Sequence, residues 1–190
     1  MAVPDPGLLC DADRSVLVVI DIQPRLTAAM PAKVLARLQR SASLMIRTAV
    51  QLDIPILATE QYPQGLGHLE PDIDRLLPPD TRKFTKTAFS CLGADGFIQA
   101  LQALSREQVI LIGMETHVCI LQSTIELLNG GYRPVIITDA VCSRHRDNYE
   151  TALNRMYQAG AVIANAESVI FEWLRDARHA QFKTIQGWLK

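Results

Sequence analysis

Cys119 is the residue in this 190-residue chain that most invites a chemical reading. It lies in "LIGMETHVCILQ" (111–122), where an aliphatic run ends at Gly113 and a helix begins shortly afterwards. With Thr116 as N-cap, Cys119 would be the third helical residue. Unpaired N–H groups and the helix dipole there would stabilise a thiolate and lower the thiol pKa. The same N–H groups could receive an oxyanion. The competing reading is a small buried residue, the commonest fate of a free cysteine. Asp21, directly after "VLVVI" (16–20), is the second candidate. A carboxylate at the end of a buried strand is costly unless paired or hydrogen-bonded. It either caps a neighbouring loop or serves a thiol as general base, taking its proton and later passing it to a leaving group. His117 is two residues from Cys119, and in a helix the two side chains diverge, which speaks against a Cys–His dyad.

Strands must hold these residues. "VLVVI" and "QVILIG" (108–113) are continuous aliphatic runs, the mark of strands buried on both faces of a parallel sheet. Further strands are expected at 54–59, 82–86 (a weak one), 133–138 and 161–164. A helix is expected over 33–52, where Val34, Leu35, Leu38, Ala42, Met45, Ile46 and Ala49 recur at helical spacing. Others fall at 94–104, at 148–160, and through Leu121, Ile125 and Leu128 until Gly130 and Gly131 stop it. The alternation predicts an α/β fold: a three-layer α/β/α sandwich around a six-stranded parallel sheet in the order 3-2-1-4-5-6. Such sheets bind ligands outside the carboxyl ends of the strands, where the order reverses. Strands 1 and 4 flank that crevice, so Asp21 and Cys119 converge on it. A single domain is expected over 1–190, with its core at about 15–166 and a helical tail at 167–190. The segment 61–80, with four prolines and two glycines, is too long for an ordinary connection and reads as a wall or lid over a site.

Composition excludes several classes. Nearly half the residues are apolar and the net charge is −1, with no basic stripe for nucleic acid. The longest aliphatic run, 16–20, is far too short to span a membrane. The first residues, "MAVPDPGLLCDADRS", carry acids and prolines where a signal peptide would carry basic and apolar regions. The four cysteines, Cys10, Cys91, Cys119 and Cys142, form no Cys-x-x-Cys pair and suit free thiols in a reducing compartment, so a cytoplasmic protein is expected. "DIQPRL" after the first strand lacks a dinucleotide fingerprint, and "GLG" (65–67) is no P-loop. No cofactor is expected.

Four stretches in order, "VLVVIDIQ", "KTAFS", "LIGMETHVCI" and "GYRPVIITDAVCSR", resemble the isochorismatase-like cysteine hydrolases over about 16–174. "TEQYP" and "GMETHVC" bring the chain nearest to the branch called isochorismatase domain-containing proteins. The resemblance implies an Asp–Lys–Cys triad at Asp21, Lys86 and Cys119. Without it, Lys86 would read as a solvated lysine on an edge strand. It also implies a cis peptide at Met114–Glu115, with the N–H groups of Glu115 and Cys119 forming an oxyanion hole. Nicotinamidases of this superfamily add an Asp-x-His and a second His for a metal. Here "ATEQYPQGLGH" offers Glu60 and His68 only, so no metal is expected. Isochorismatases proper lack the cysteine nucleophile, and Cys119 argues against that activity.

These readings combine into a hydrolase cleaving a C–N bond of a small amide through a thioester. The alternatives are a scaffold that kept the fold, or a different hydrolase activity of the superfamily. Gln23, Gln61, Tyr62 and Phe89 are the expected substrate contacts, and their amide, phenol and aromatic groups suit a small, neutral, planar molecule. A small-molecule substrate and a homo-oligomer are the expected partners, without nucleic acid or membrane. The oligomer rests on Phe171, Trp173, Leu174, Phe182, Ile185, Trp188 and Leu189, an apolar surplus crowded into the last twenty residues.

Overall fold

The computed structural model describes residues 9–189, so the expectation for the first residues lies partly outside them. In chain order the elements are β1 (Ser15–Ile20), α1 (Pro24–Thr27), α2 (Ala32–Gln51), β2 (Ile56–Gln61), α3 (Pro63–Leu66), α4 (Pro71–Asp74), β3 (Arg82–Lys86), α5 (Phe97–Ala103), β4 (Gln108–Met114), α6 (Leu121–Asn129), β5 (Arg133–Cys142), α7 (Arg146–Gln158), β6 (Val162–Ala164), α8 (Ala166–Leu174) and α9 (Phe182–Gln186). The six strands form one parallel sheet in the expected order, β3-β2-β1-β4-β5-β6. No helix among the described residues is long and apolar enough to cross a membrane.

Every residue of β1, β2 and β4 is buried, which is why β1 and β4 are almost continuously apolar, while the buried Thr59, Glu60 and Gln61 of β2 are each hydrogen-bonded. Each aliphatic side chain contributes about 1.5–3 kcal/mol by leaving water. Alternation sorts them into two layers. Leu17, Val19, Ala58, Ile110 and Ile112 pack under α2, α4, α8 and α9. Val16, Val18, Ile20, Leu57, Phe84 and Leu111 pack under α5, α6 and α7, with Cys119 among them. On β2 and β3 this period of two carries Thr59, Gln61 and Lys86 to the second layer, the side of Cys119.

Several elements differ from the sequence reading. The segment 61–80 is not structureless. It holds α3 and α4, with Leu69, Ile73 and Leu77 buried beneath it. The buried Glu60 carboxylate anchors it, accepting from Leu69 N at 2.8 Å and pairing with His68 Nδ1 at 2.9 Å. The helix expected from 94 begins at Phe97, because Gly96 takes a left-handed φ of 78° that ends the preceding turn. β5 runs four residues past 138. Its register with β4 jumps from Leu111↔Ile136 to Gly113↔Val141, and this irregularity makes room for Thr138 and Asp139.

The apolar side chains of the last twenty residues divide between core and surface. Trp173, Leu174 and Ile185 are buried in the α2 layer, and Phe182, Trp188 and Leu189 pack against it. Of that set only Phe171 stays largely exposed.

Candidate active site

β1 ends in a turn that few residues tolerate. Asp21 has a φ of 53°, a left-handed conformation that carries a cost for any residue but glycine, least for Asp and Asn. The turn breaks the alternation after Ile20. The Asp21 carboxylate is fully buried, its Oδ1 accepting from Thr59 Oγ1 at 2.7 Å and its Oδ2 from Lys86 Nζ at 2.6 Å. Lys86 reaches it across β2 from the edge strand. Its ammonium also donates to Gln61 Oε1 at 2.7 Å and to the Phe89 carbonyl at 3.1 Å, so three acceptors surround a fully buried charge. The alternative reading of Lys86 as a solvated edge-strand lysine is therefore excluded. β3 buries alternate residues, and Lys86 shares the inward face with Phe84.

β4 approaches β1 closely at Gly113, opposite Ile20. With a φ of 124°, Gly113 leaves no room for a side chain: a Cβ there would stand 1.9 Å from the Ile20 carbonyl oxygen. The Met114–Glu115 peptide bond that follows is cis. The chain then enters a π-helical turn, Thr116–Ile120, in which Glu115 O accepts from Val118 N and Ile120 N. Here the expected cap is wrong. Glu115, not Thr116, holds the N-cap position, and the buried Thr116 hydroxyl has no partner. The wide turn places Cys119 one residue deeper than an ordinary capped helix would.

Cys119 is 5% exposed and lies within side-chain hydrogen-bonding reach of Asp21 and Lys86. Its thiol is not activated at rest. Burial pushes it up to about 12, the Asp21 charge adds to the rise, and Lys86 opposes it. The lowered pKa expected from the helix dipole is thus overturned by desolvation, the stronger effect at a nearly dry site. Cys91 is also pushed up to about 12, mainly by burial, and its neighbours Lys86 and Asp21 act on it through their charges alone. His117 turns away from Cys119. Its Nδ1 is 3.0 Å from Ser143 Oγ and its Nε2 is 3.4 Å from Asn148 Nδ2. The Glu115 carboxylate, nearly buried, accepts from the backbone N–H and the Nε of Arg144, both at 3.1 Å.

The four expected substrate contacts divide. Gln23 and Gln61 are buried, and their amides are hydrogen-bonded within the protein. Gln23 Oε1 accepts from Gln61 N at 2.7 Å and Gln23 Nε2 donates to Gln61 O at 3.0 Å, so one side chain pairs with backbone as a neighbouring strand would. Gln61 Nε2 donates to Thr87 O at 2.8 Å, while its oxygen holds Lys86. Tyr62 and Phe89 are about half exposed. Tyr62 also lines a cavity of about 320 Å³ beside Lys86, together with Gln64, Thr85, Thr87 and Asp95. Thr59 was missed. The available signal was a hydroxyl in a strand buried on both faces, which needs a partner. Among the described residues no group of three or more His, Cys, Asp and Glu side chains could hold a metal ion.

The chain is thus a doubly wound α/β domain with a thiol, a carboxylate and an ammonium gathered at the carboxyl ends of its strands. Comparison with known proteins narrows that class. Residues 15–168 match the isochorismatase domain, and the chain belongs to the isochorismatase family of hydrolase domains. It is 42% identical over 150 residues to isochorismatase domain-containing protein 2A of Mus musculus, covering 78% of this chain and 70% of that one. Among solved structures it resembles the MAR1 ribonuclease of Caenorhabditis elegans, with a TM-score of 0.89, 32% identity and coverage of 95% and 92%. The YcaC gene product of Escherichia coli, described as an octameric hydrolase of unknown specificity, shares the fold with a TM-score of 0.86, 21% identity and coverage of 97% and 92%.

Proposed function

We propose that the chain is a cysteine hydrolase that cleaves the C–N bond of a small, neutral amide through a thioester. The observation that carries this reading is the thiol of Cys119 beside a buried Asp21–Lys86 pair. A thiol pushed up to about 12 needs a base in contact with it, and Asp21 is that base. Asp21 takes the thiol proton as sulfur attacks the carbonyl carbon. The N–H groups of Glu115 and Cys119 receive the oxyanion. The C–N bond breaks and the amine leaves with the proton from Asp21. Water then attacks the thioester, giving up a proton to Asp21, and the acid departs as sulfur is reprotonated. Lys86 holds Asp21 in place and offsets the negative charge. Tyr62 and Phe89 form the rim, and no metal takes part.

The experiment is intact-mass spectrometry after incubation with an amide panel and an electrophilic acyl probe. A +acyl adduct on wild type that Cys119→Ala lacks supports the reading. Equal labelling of the two proteins removes the nucleophile assignment, and a wild type inert to the whole panel favours a scaffold.

A second reading follows from the Caenorhabditis elegans relative, a ribonuclease. Against it, Lys86 is already spent on Asp21, Gln61 and Phe89 and is not available to a phosphate. Cleavage of an RNA oligonucleotide by wild type and not by Cys119→Ala would favour it. We also place the chain in the cytoplasm as a homo-oligomer, with Tyr62, Phe89, Tyr157 and Phe171 the exposed aromatic residues among those described. Sedimentation showing a monomer at micromolar concentration would overturn the oligomer.

A further inference from the structure

A second cavity, of about 350 Å³, lies between the start of α2 and the start of α7, and none of Asp21, Lys86 and Cys119 lines it. Its walls carry three guanidinium groups, Arg37, Arg144 and Arg146, and the apolar surfaces of Pro31, Val34 and Tyr149. The three cations are not equivalent. Arg146 is exposed and donates from Nε to Glu150 Oε1 at 2.6 Å. Arg144 is half exposed and held by Glu115. Arg37 has no ion pair among the described residues. Its Nη2 donates to the Val141 carbonyl at 3.2 Å, and its guanidinium carbon sits 5.5 Å from the centre of the Tyr149 ring. Its Nε is buried and has no acceptor at all.

A buried guanidinium N–H without an acceptor is costly, and a charge without a counterion more so. That Nε is sealed from solvent, but Arg37 itself lines the cavity, where an anion can supply the missing counterion. One uncommitted cation matches one negative charge. A dianion would need Arg144 or Arg146 to leave its carboxylate. Ser143 and the Glu150 carboxylate, which is paired with Arg146, also line the cavity, while Pro31, Val34 and the Tyr149 ring give it an apolar wall that suits an apolar body better than a bare inorganic ion. The Tyr149 hydroxyl donates to Thr138 O at 2.8 Å, and its oxygen is a neutral acceptor within reach of the Arg37 guanidinium, which leaves the charge of Arg37 without a counterion among the described residues.

We infer that this cavity is a binding site for a small organic monocarboxylate, with its carboxylate on Arg37 and its apolar body against Pro31, Val34 and Tyr149. The inference is independent of the chemistry at Cys119. The test is calorimetric titration of the full chain with benzoate, with the neutral isostere benzamide and with sodium sulfate. Benzoate binds saturably to wild type and to Cys119→Ala alike, and benzamide does not bind. Arg37→Gln weakens benzoate by roughly tenfold or more, as loss of a charge-assisted hydrogen bond requires. Thermal melting checks that Arg37→Gln folds. Should it fail to fold, Val34→Trp, which fills the cavity from its apolar side, abolishes binding. The inference is overturned if benzoate does not saturate, if benzamide binds as tightly, or if sulfate binds as tightly. It is equally overturned if Cys119→Ala abolishes binding, or if benzoate binding survives both Arg37→Gln and Val34→Trp.

Discussion

Replacing Lys86 by Met keeps the side-chain volume and removes the charge. The ammonium is fully buried and holds three acceptors, the Asp21 carboxylate, the Gln61 amide oxygen and the Phe89 carbonyl. The substitution leaves Asp21 charged, dry and supported chiefly by the Thr59 hydroxyl. Breaking a buried pair from one side costs about 3–5 kcal/mol, because the remaining charge has lost its counterion. For a chain of this length each kcal/mol lowers Tm by roughly 2–4 °C, so a fall of roughly 6–20 °C is expected. Scanning calorimetry or urea unfolding measures it. The decisive arm is a double-mutant cycle. Asp21→Asn on top of Lys86→Met removes the stranded charge and should cost less than the sum of the single changes by at least about 1 kcal/mol. If Lys86→Met melts with wild type, or the two changes simply add, the pair is not energetically joined and the reasoning fails.

Alkylation of Cys119 by iodoacetamide, followed by peptide mapping, should be slower at pH 7 than that of a small free thiol and should still be rising above pH 9, because burial and Asp21 hold the thiol protonated to about 12. Asp21→Asn removes a charge that raises the thiol and should speed the reaction at a fixed pH. Gly113→Ala drives a Cβ to 1.9 Å from Ile20 O in a backbone conformation that disfavours side chains. It should cost at least about 3 kcal/mol, seen as a lowered Tm or loss of soluble protein. Exhaustive chelation should leave hydrolase activity intact; a loss restored by zinc or iron would overturn the metal-free mechanism.

Much of the fold was legible because burial leaves a one-dimensional trace. Strands buried on both faces must be aliphatic, so 16–20 and 108–113 declared themselves, and topological rules supplied the order. Asp21 stood out because it follows such a strand directly, and Cys119 because it opens the helix one turn after another such strand. What the chain does with polar atoms across the sheet left no periodic trace. "RKFTK" looks like a solvated edge, and nothing local says that its last lysine points inward to a carboxylate two strands away. Gln23 and Gln61 looked like ligand-facing amides, yet they serve each other and Lys86. The Thr116 cap was inferred from residue type, and the π-helical turn moved the cap to Glu115. The thiol was judged by its helix end, whereas the dryness around it decides its titration.

The reach of Lys86 across β2 also bears on when the cluster around Cys119 is complete. Its contact with Asp21 spans 65 positions of sequence and needs β1, β2 and β3 already in register, while Cys119 arrives only when β4 docks on the far side of β1. Contacts so distant in sequence form late, after the entropy of closing long loops has been met. A collapsed intermediate with its helices in place would therefore carry a solitary cysteine, without its carboxylate and ammonium neighbours. The cluster is a reporter of completed sheet assembly: until β4 docks, Cys119 would alkylate as an ordinary free thiol does, and the slow alkylation expected of the folded chain would be absent.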